Sequence, residues 1–309
     1  MSRTLVLFTD NQSYYFDRIH SSELTIRGLY YDHAELKNPV LKFLRKIKSP
    51  FTRLFYQDWY QHLKDYEKII VLDTALLFDG RLLYNISRKA PDARKYFYSW
   101  NKVKDEVRFE EGKRAADQAG FKYYSYDKGD CRKYGLNFNT IMYDPTLTLE
   151  GAEPQYDILF LGFLKDRKKD LLSLHRMLRA ASLKPNFMIV NYQKEHEDLP
   201  FTFTDKYIPY YDYLKLVSNS RAILDISQEG QDGYSMRVME AIFFQKKLIT
   251  TNTAVRDSMF YNDSNILIID FDRTTTEEIH AFYEKPFQPY DEKIRQYYSI
   301  GAWADRFED

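Results

Sequence analysis

Short apolar runs recur along this chain, each followed by a stretch of helical composition. That alternation constrains the fold more than any other feature, because runs too short for buried helices read as buried strands. Arg3–Thr9 is the first, followed by the polar loop Asp10-Asn11-Gln12-Ser13. Lys68–Asp73 is the second, with helix-like sequence after it through Ser87. Lys95–Trp100 alternates with aromatics and reads as a third strand. Glu106–Ala119 is helical and ends at Gly120, a good C-cap residue. Phe121–Tyr126 is a fourth strand. Strands that alternate with helices predict a parallel sheet with crossover helices.

Periodicity fades between Tyr143 and Gln155, around Pro145, Gly151 and Pro154, which places a domain boundary there. A second series follows. Tyr156–Leu164 reads as a strand, Lys168–Ala181 as a helix, Asn186–Asn191 as a strand and Tyr207-Ile208 as a short strand. Tyr211–Asn219 is a helix, Ala222–Ile226 a strand and Ser235–Gln245 a helix, before strands at Lys247–Thr250 and Asn265–Ile269. The expected class is therefore α/β, with two Rossmann-like domains facing across a cleft. They span 1–150 and 151–285, and a helical C-terminal segment over 286–309 packs on something. A length of 309 residues, at roughly 150 per domain, agrees. In such sheets ligands sit beyond the carboxyl ends of the strands.

Composition narrows the function classes. A hydrophobic fraction of 44% with 29% charged residues fits a globular chain and not a disordered one. The single cysteine, Cys131, excludes an internal disulfide framework and a Cys-rich zinc module. Lys+Arg and Asp+Glu balance at 45 each, which argues against nucleic acid as a partner. No apolar run approaches the ~20 residues that span a bilayer. Asp10 and Asp17 interrupt the early apolar stretch that a signal peptide would need. The expectation is a soluble cytoplasmic protein. The 27 Tyr and 22 Phe against 11 Gly fit either half-wet clefts or plain compositional bias.

The chemistry concentrates in Ala222–Asn252. A buried strand runs into a polar loop holding Glu229, Gly230, Gln231, Asp232 and Gly233; a helix with Met236, Arg237 and Glu240 follows, then Lys246-Lys247 and another strand. Glycines let backbone approach a ligand closely. The helix starts just after them, so its free N–H groups and positive dipole end face the loop, an arrangement that holds phosphate. Seven residues separate Asp232 from Glu240, which can set both carboxylates at one cleft. A carboxylate accepts several hydroxyl hydrogen bonds, as a sugar or ribose requires.

The segment from Asp232-Gly-Tyr-Ser-Met-Arg-Val-Met-Glu240 into Ala-Ile-Phe-Phe-Gln-Lys-Lys-Leu-Ile-Thr-Thr resembles the donor-site signature of GT-B fold retaining glycosyltransferases. The resemblance is clearest over roughly 155–270 and implies that Glu240 binds the nucleotide ribose while Asp232 contacts the transferred sugar. Asp stands where the family more often has Glu, a departure that bears on sugar preference. The first half resembles bacterial polysaccharide and lipooligosaccharide glycosyltransferases more loosely, through Tyr126-Asp-Lys-Gly-Asp130 and Lys133-Tyr-Gly-Leu136. The resemblance further implies that Gly162, Lys165 and Arg167 serve the donor diphosphate, Arg167 acting catalytically beside Asp232 and Glu240. Arg237 is a third cation beside the glycine loop. Gly230, Gln231, Gly233, Tyr234 and Ser235 complete the donor set, and Tyr210 either stacks on the base or is one more tyrosine. Each acid also fits a bland reading, as a solvated loop or helix-surface residue.

The first half would bind the acceptor through Asp10 and Asn11 after the first strand and Trp100 and Asn101 after the third. The six histidines are scattered and read as solvent or core residues, and Cys131 as a silent thiol. Residues 37–57 carry Lys37, Lys42, Arg45, Lys46, Lys48 and Arg53 with no acid, interleaved with Leu41, Phe43, Leu44, Ile47, Phe51, Leu54 and Phe55. Such a stretch either meets an anionic membrane or packs its apolar side on its own domain.

The expected reaction moves a hexose from a nucleoside-diphosphate sugar to a glycan or lipid-linked hydroxyl, with neither metal nor other cofactor. Two alternatives stand beside it. One is a non-catalytic sugar-nucleotide or glycan-binding module; the other is a metal-dependent GT-A enzyme using Asp270 and Asp272. An NAD-dependent enzyme lacks its G-x-G-x-x-G turn here.

Overall fold

The computed structural model describes residues 3–9, 13–17, 19, 21–47, 49–73, 80–191, 198–227 and 230–308. Two sheets form, and every ladder in both is parallel. Parallel neighbours need long crossovers, so the intervening helices cover both sheet faces and bury the strands on both sides. That is why the strand sequences are near-continuous apolar runs: Leu5, Val6, Leu7, Ile69 and Ile70 are all fully buried. The chain divides into two units, Met1–Asp144 with Ser299–Asp309, and Pro145–Tyr298.

The first unit carries β1 (Thr4–Phe8), β2 (Leu24–Gly28), β3 (Lys68–Asp73), β4 (Arg94–Ser99), β5 (Lys122–Ser125) and β6 (Asn137–Phe138), in the order β2-β1-β3-β4-β5-β6. Leu5, Leu7, Ile69, Val71, Phe97 and Tyr123 share one core with Trp59, Leu83, Ile86 and Phe109. Alternate strand residues point the other way. There Tyr98 meets Trp303 at 5.1 Å, and Phe307 lies 5.3 Å from Tyr96 and 4.8 Å from Tyr124. The helix Ile300–Asp305 therefore completes the first unit. The predicted 286–309 segment accordingly splits, its earlier part belonging to the second unit.

Several tyrosines of this unit are core residues. Tyr98 donates to the Thr140 carbonyl at 2.8 Å, and Tyr123 pairs with the Ser99 hydroxyl at 2.9 Å. A ring that buries its body and satisfies its hydroxyl belongs inside as readily as at a wet edge. The motif Tyr126–Leu136 is a capped helix. Asp127 accepts from the Asp130 N–H at 2.9 Å to start Lys128–Tyr134, and Gly135 ends it with φ +63°.

The second unit carries β7 (Tyr156–Gly162), β8 (Pro185–Val190), β9 (Thr202–Thr204), β10 (Ser220–Asp225), β11 (Lys247–Thr250) and β12 (Ile266–Ile268), ordered β12-β11-β10-β7-β8-β9. Its third strand lies at 202–204, not at Tyr207-Ile208 as expected. A proline disfavours helix at the residue before it, which gives Tyr207-Ile208 an extended pattern, but Thr202–Thr204 is the stretch in register with Met188–Val190. The helices Lys168–Ala180 and Thr276–Glu284 pack on one face through Leu171, Leu174, Leu178, Ile279 and Phe282.

Each unit ties a late helix to the first residue of a strand through a buried lysine. Lys68 donates to the Ala304 carbonyl at 2.9 Å, and Lys247 donates to the carbonyls of Phe282 and Lys285 at 2.5 and 2.7 Å. A cation suits the carbonyl end of a helix. Burial nevertheless pushes the Lys247 ammonium down to about 8 from 10.5. The unfolded chain then holds more protons between those values, so stability rises with pH across that window. Lys247→Met removes this titration. The wild type's unfolding free energy relative to that variant should climb from pH 8 toward 10.5, as urea denaturation would read.

Candidate functional site

In the second unit the chain runs β7 to β8 to β9, then crosses back to β10 on the other side of β7. The strand order therefore reverses between β7 and β10, and their carboxyl ends define the switch point where such sheets hold ligands. Gly162 ends β7 and Asp225 ends β10. The loops that follow them carry most of the residues expected from sequence.

Asp225 organises this edge. One carboxylate oxygen accepts from the Ser235 hydroxyl at 2.7 Å, the other from the Thr250 hydroxyl at 3.1 Å. Arg237 stands 3.9 Å from the first of these oxygens. Ser235 is the N-cap residue of the helix Met236–Phe243, yet its side chain does not cap the helix. Its hydroxyl is turned to Asp225 instead, leaving the first-turn amides without a side-chain acceptor from Ser235. The dipole and these amides face the loop that ends in Gly233. Gly233 is buried, and its carbonyl accepts from Gln231 at 3.0 Å and Asn252 at 3.1 Å. Gly230 adopts φ +67°, a conformation that glycine takes at little cost.

Arg237 reaches across to β7. It donates to the Leu161 carbonyl at 2.6 Å, and its guanidinium lies 5.3 Å from the centre of the Phe160 ring. A Cβ at Gly162 would sit 2.9 Å from the Arg237 Nη2. The absent Cβ leaves the room that this guanidinium occupies. Gly162→Ala should displace this guanidinium and weaken the nucleoside-diphosphate binding that the resemblance implies about tenfold, close to 1.4 kcal/mol. Calorimetric titration of the variant checks this, with a near-normal melting temperature expected.

Arg167 sits at the same edge but is buried, at 8% exposure. It donates to the carbonyls of Ile226 at 3.2 Å and Phe163 at 2.8 Å, and lies 5.3 Å from the Phe160 ring centre. It therefore braces the ends of β7 and β10. Lys165 is exposed and takes φ +45°, a conformation that costs a non-glycine residue about 1–3 kcal/mol. Asp232 and Tyr234 are half-buried in the loop region, and Tyr234 packs on Phe260 at 5.1 Å.

Glu240 is 2% exposed and faces two tyrosines. Tyr210 donates to one carboxylate oxygen at 2.8 Å and Tyr213 donates to the other. Burial pushes the Glu240 carboxyl above its ordinary range, against the opposing pull of both hydroxyls and of Arg237. The helix-surface reading of this residue does not hold, because its carboxylate is buried. Tyr210, meanwhile, spends its hydroxyl on Glu240. A carboxylate has about four acceptor sites, and the two tyrosine hydroxyls occupy one on each oxygen.

Sequence reasoning missed Asp225, Tyr213 and Asn252. An acid closing a buried strand and a tyrosine one helical turn after Tyr210 were both visible signals. Asn252 had none, since its role comes from the proximity of β11 to the glycine loop.

The other expected residues fall elsewhere. Asp10 and Asn11 lie outside the described residues, as does Glu229. Trp100 is half-buried and packs against Phe16 at 5.3 Å and Tyr15 at 6.1 Å, while Asn101 is exposed beside a recess lined by Lys102, Lys104 and Arg108. Asp270 accepts from the Asp272 N–H at 3.0 Å, which is turn chemistry after β12. Cys131 is half-buried, and burial pushes its thiol up to about 11, which suppresses the reactive thiolate.

No family model matches the chain, and no curated protein matches it in sequence. Solved structures do match it. An alpha-glucosyltransferase in complex with UDP and a 13-mer DNA containing a central A:G mismatch aligns at TM-score 0.55 and 12% identity, over 98% of this chain and 94% of that one. A UDP-forming alpha,alpha-trehalose-phosphate synthase from Burkholderia xenovorans, in complex with glucose-6-phosphate, aligns at 0.53 and 10% identity over 99% of both chains. AviGT4, a glycosyltransferase involved in avilamycin A biosynthesis, aligns at 0.52 and 12% identity over 98% of this chain and 95% of that one. At these identities the likeness is one of fold. The chain has the GT-B fold, built from two Rossmann-like α/β domains. The metal-dependent reading of Asp270 and Asp272 belongs to a different fold, GT-A, and is set aside.

Proposed function

We propose that the chain is a glycosyltransferase that moves a hexose from a nucleoside-diphosphate sugar to a hydroxyl of a bacterial surface glycan. The observation that carries this reading is the carboxyl edge of β7 and β10. There a helix N-terminus freed of its serine cap, the cation of Arg237 and a glycine loop meet around Asp225. Amides and a guanidinium together suit a diphosphate and stabilise it as it departs. Glu240 would hold the ribose, Asp232 the transferred sugar, and Lys165 the outer phosphate. Arg167 acts as a positioning residue, since its guanidinium holds two backbone carbonyls. The two structural neighbours whose descriptions mention UDP support a uridine donor as the first to test.

The first unit would bind the acceptor, with Trp100 and Asn101 at the end of β4. Transfer with retention follows from the resemblance of Asp232–Thr251. In that scheme the acceptor oxygen bonds to the anomeric carbon on the face the diphosphate leaves, and its proton passes to the departing phosphate oxygen. No protein nucleophile or metal is then needed. The enzyme would work in the cytoplasm. Among the described residues, no helix is long and apolar enough to cross a membrane.

Calorimetric titration with UDP and GDP tests the donor site, and NMR of the product linkage tests retention. Binding of neither nucleotide would end the reading. Nucleotide binding without turnover on any acceptor would favour a non-catalytic binding module.

A further inference from the structure

The helix Pro39–Lys46 begins at Asn38, whose side chain accepts from the N–H groups of Val40 and Leu41 at 2.9 and 3.2 Å. A short helical turn, Pro50–Phe55, follows it, started by Ser49. Leu41 is fully buried and anchors the element to the first unit's core. The opposite face is unusual. Val40, Phe43, Ile47, Phe51 and Leu54 are 56, 60, 54, 57 and 71% exposed. They are five of the fifteen exposed large apolar side chains among the described residues, gathered within one short stretch. A surface helix that buries one apolar stripe ordinarily turns a polar face outward. This one turns out a second apolar row.

Cations flank that row. Lys37, Lys42, Lys46 and Arg53 are exposed, Arg45 is half-buried, and no Asp or Glu occurs from 37 to 57. The charge chooses the occupant. A second copy docked face to face would set these cations against their own duplicates, because a two-fold interface pairs a patch with itself. Nucleic acid would meet the cations but leave the apolar row in water. An anionic bilayer surface satisfies both sets. Aliphatic and aromatic side chains enter the headgroup boundary while lysine and arginine meet lipid phosphates.

We propose that the exposed side chains of Lys37–Ile47 and Pro50–Leu54 form a docking surface for anionic phospholipid, holding the first unit on the membrane face. The proposal stands on this surface alone and is independent of the donor site, so its test needs no turnover. The probe is co-sedimentation of the full chain with phosphatidylcholine vesicles, with and without phosphatidylglycerol. Binding to the anionic vesicles should exceed binding to the neutral ones at least about tenfold and fall with added salt. Lys42→Gln with Lys46→Gln and Arg53→Gln should lower partitioning about fivefold per charge removed. Phe43→Ser with Leu54→Ser should lower it about tenfold or more on both vesicle types. All five positions are solvent-facing or flank the exposed row, and an unchanged melting temperature confirms that the variants fold. Equal binding to neutral vesicles, absence of binding, or wild-type binding by both variants overturns the proposal. So does a concentration-dependent dimer in sedimentation velocity that Phe43→Ser dissociates, which would assign the surface to a second copy.

Discussion

Glu240→Ala is expected to abolish measurable nucleoside-diphosphate binding and to cut sugar transfer by orders of magnitude. The substitution removes the carboxylate proposed for the ribose. It also leaves the hydroxyls of Tyr210 and Tyr213 buried without their acceptor. Each orphaned hydroxyl costs about 1–3 kcal/mol, so a fall in stability accompanies the loss of binding. Glu240→Gln separates the two effects. It keeps the side-chain volume and one oxygen acceptor while removing the charge, so it should fold but bind nucleotide weakly. A pH series adds a signature. Burial raises the Glu240 carboxyl above its ordinary range, so the wild type protonates this group at a higher pH than an exposed glutamate does. Nucleotide affinity should therefore decline on mild acidification in the wild type and stay flat in Glu240→Gln. Wild-type affinity in Glu240→Ala would remove this residue from the site.

Truncation before Ser299 is expected to unfold the first unit and spare the second. Trp303, Ala304 and Phe307 are fully or nearly fully buried, and the rings of Trp303 and Phe307 pack on Tyr96, Tyr98 and Tyr124 of β4 and β5. Without them one face of that sheet is bare, and the Lys68 ammonium loses the Ala304 carbonyl. Trp303→Ala alone should cost about 3–5 kcal/mol, the range for emptying a buried aromatic site. That is a large part of the ~5–15 kcal/mol that holds a domain together. Limited proteolysis of the truncated chain, with fragments mapped by mass, should show cleavage within 3–144 and protection over 145–298. Even protection of both segments would refute the assignment.

How much of this was legible in the sequence depends on the range of the interaction involved. Lys68–Asp73 and Lys247–Thr250 match their strands end to end, and Glu106–Gln118 stops at Gly120 with φ +71°. In each case burial on both sheet faces, or a left-handed C-cap, writes itself into a few adjacent residues. β2 went unread because Arg27 interrupts its apolar pattern, and the three-residue β9 owes its place to pairing with β8. At the site, the glycine loop, Arg237 and Glu240 were recognisable, since strand, loop and helix follow one another in order.

What local order determined by itself was therefore the alternation of elements, the α/β class and the neighbourhood of the glycine loop. Tertiary structure alone decided that Ser235 turns from its helix to Asp225, that Arg167 braces two carbonyls, and that Glu240 is enclosed by two tyrosines. It alone placed Trp303 against β4. The physical reason is common to all four. A polar group's partner and a ring's packing surface are set by which distant segments the parallel crossovers bring together, and a linear pattern holds no record of that choice.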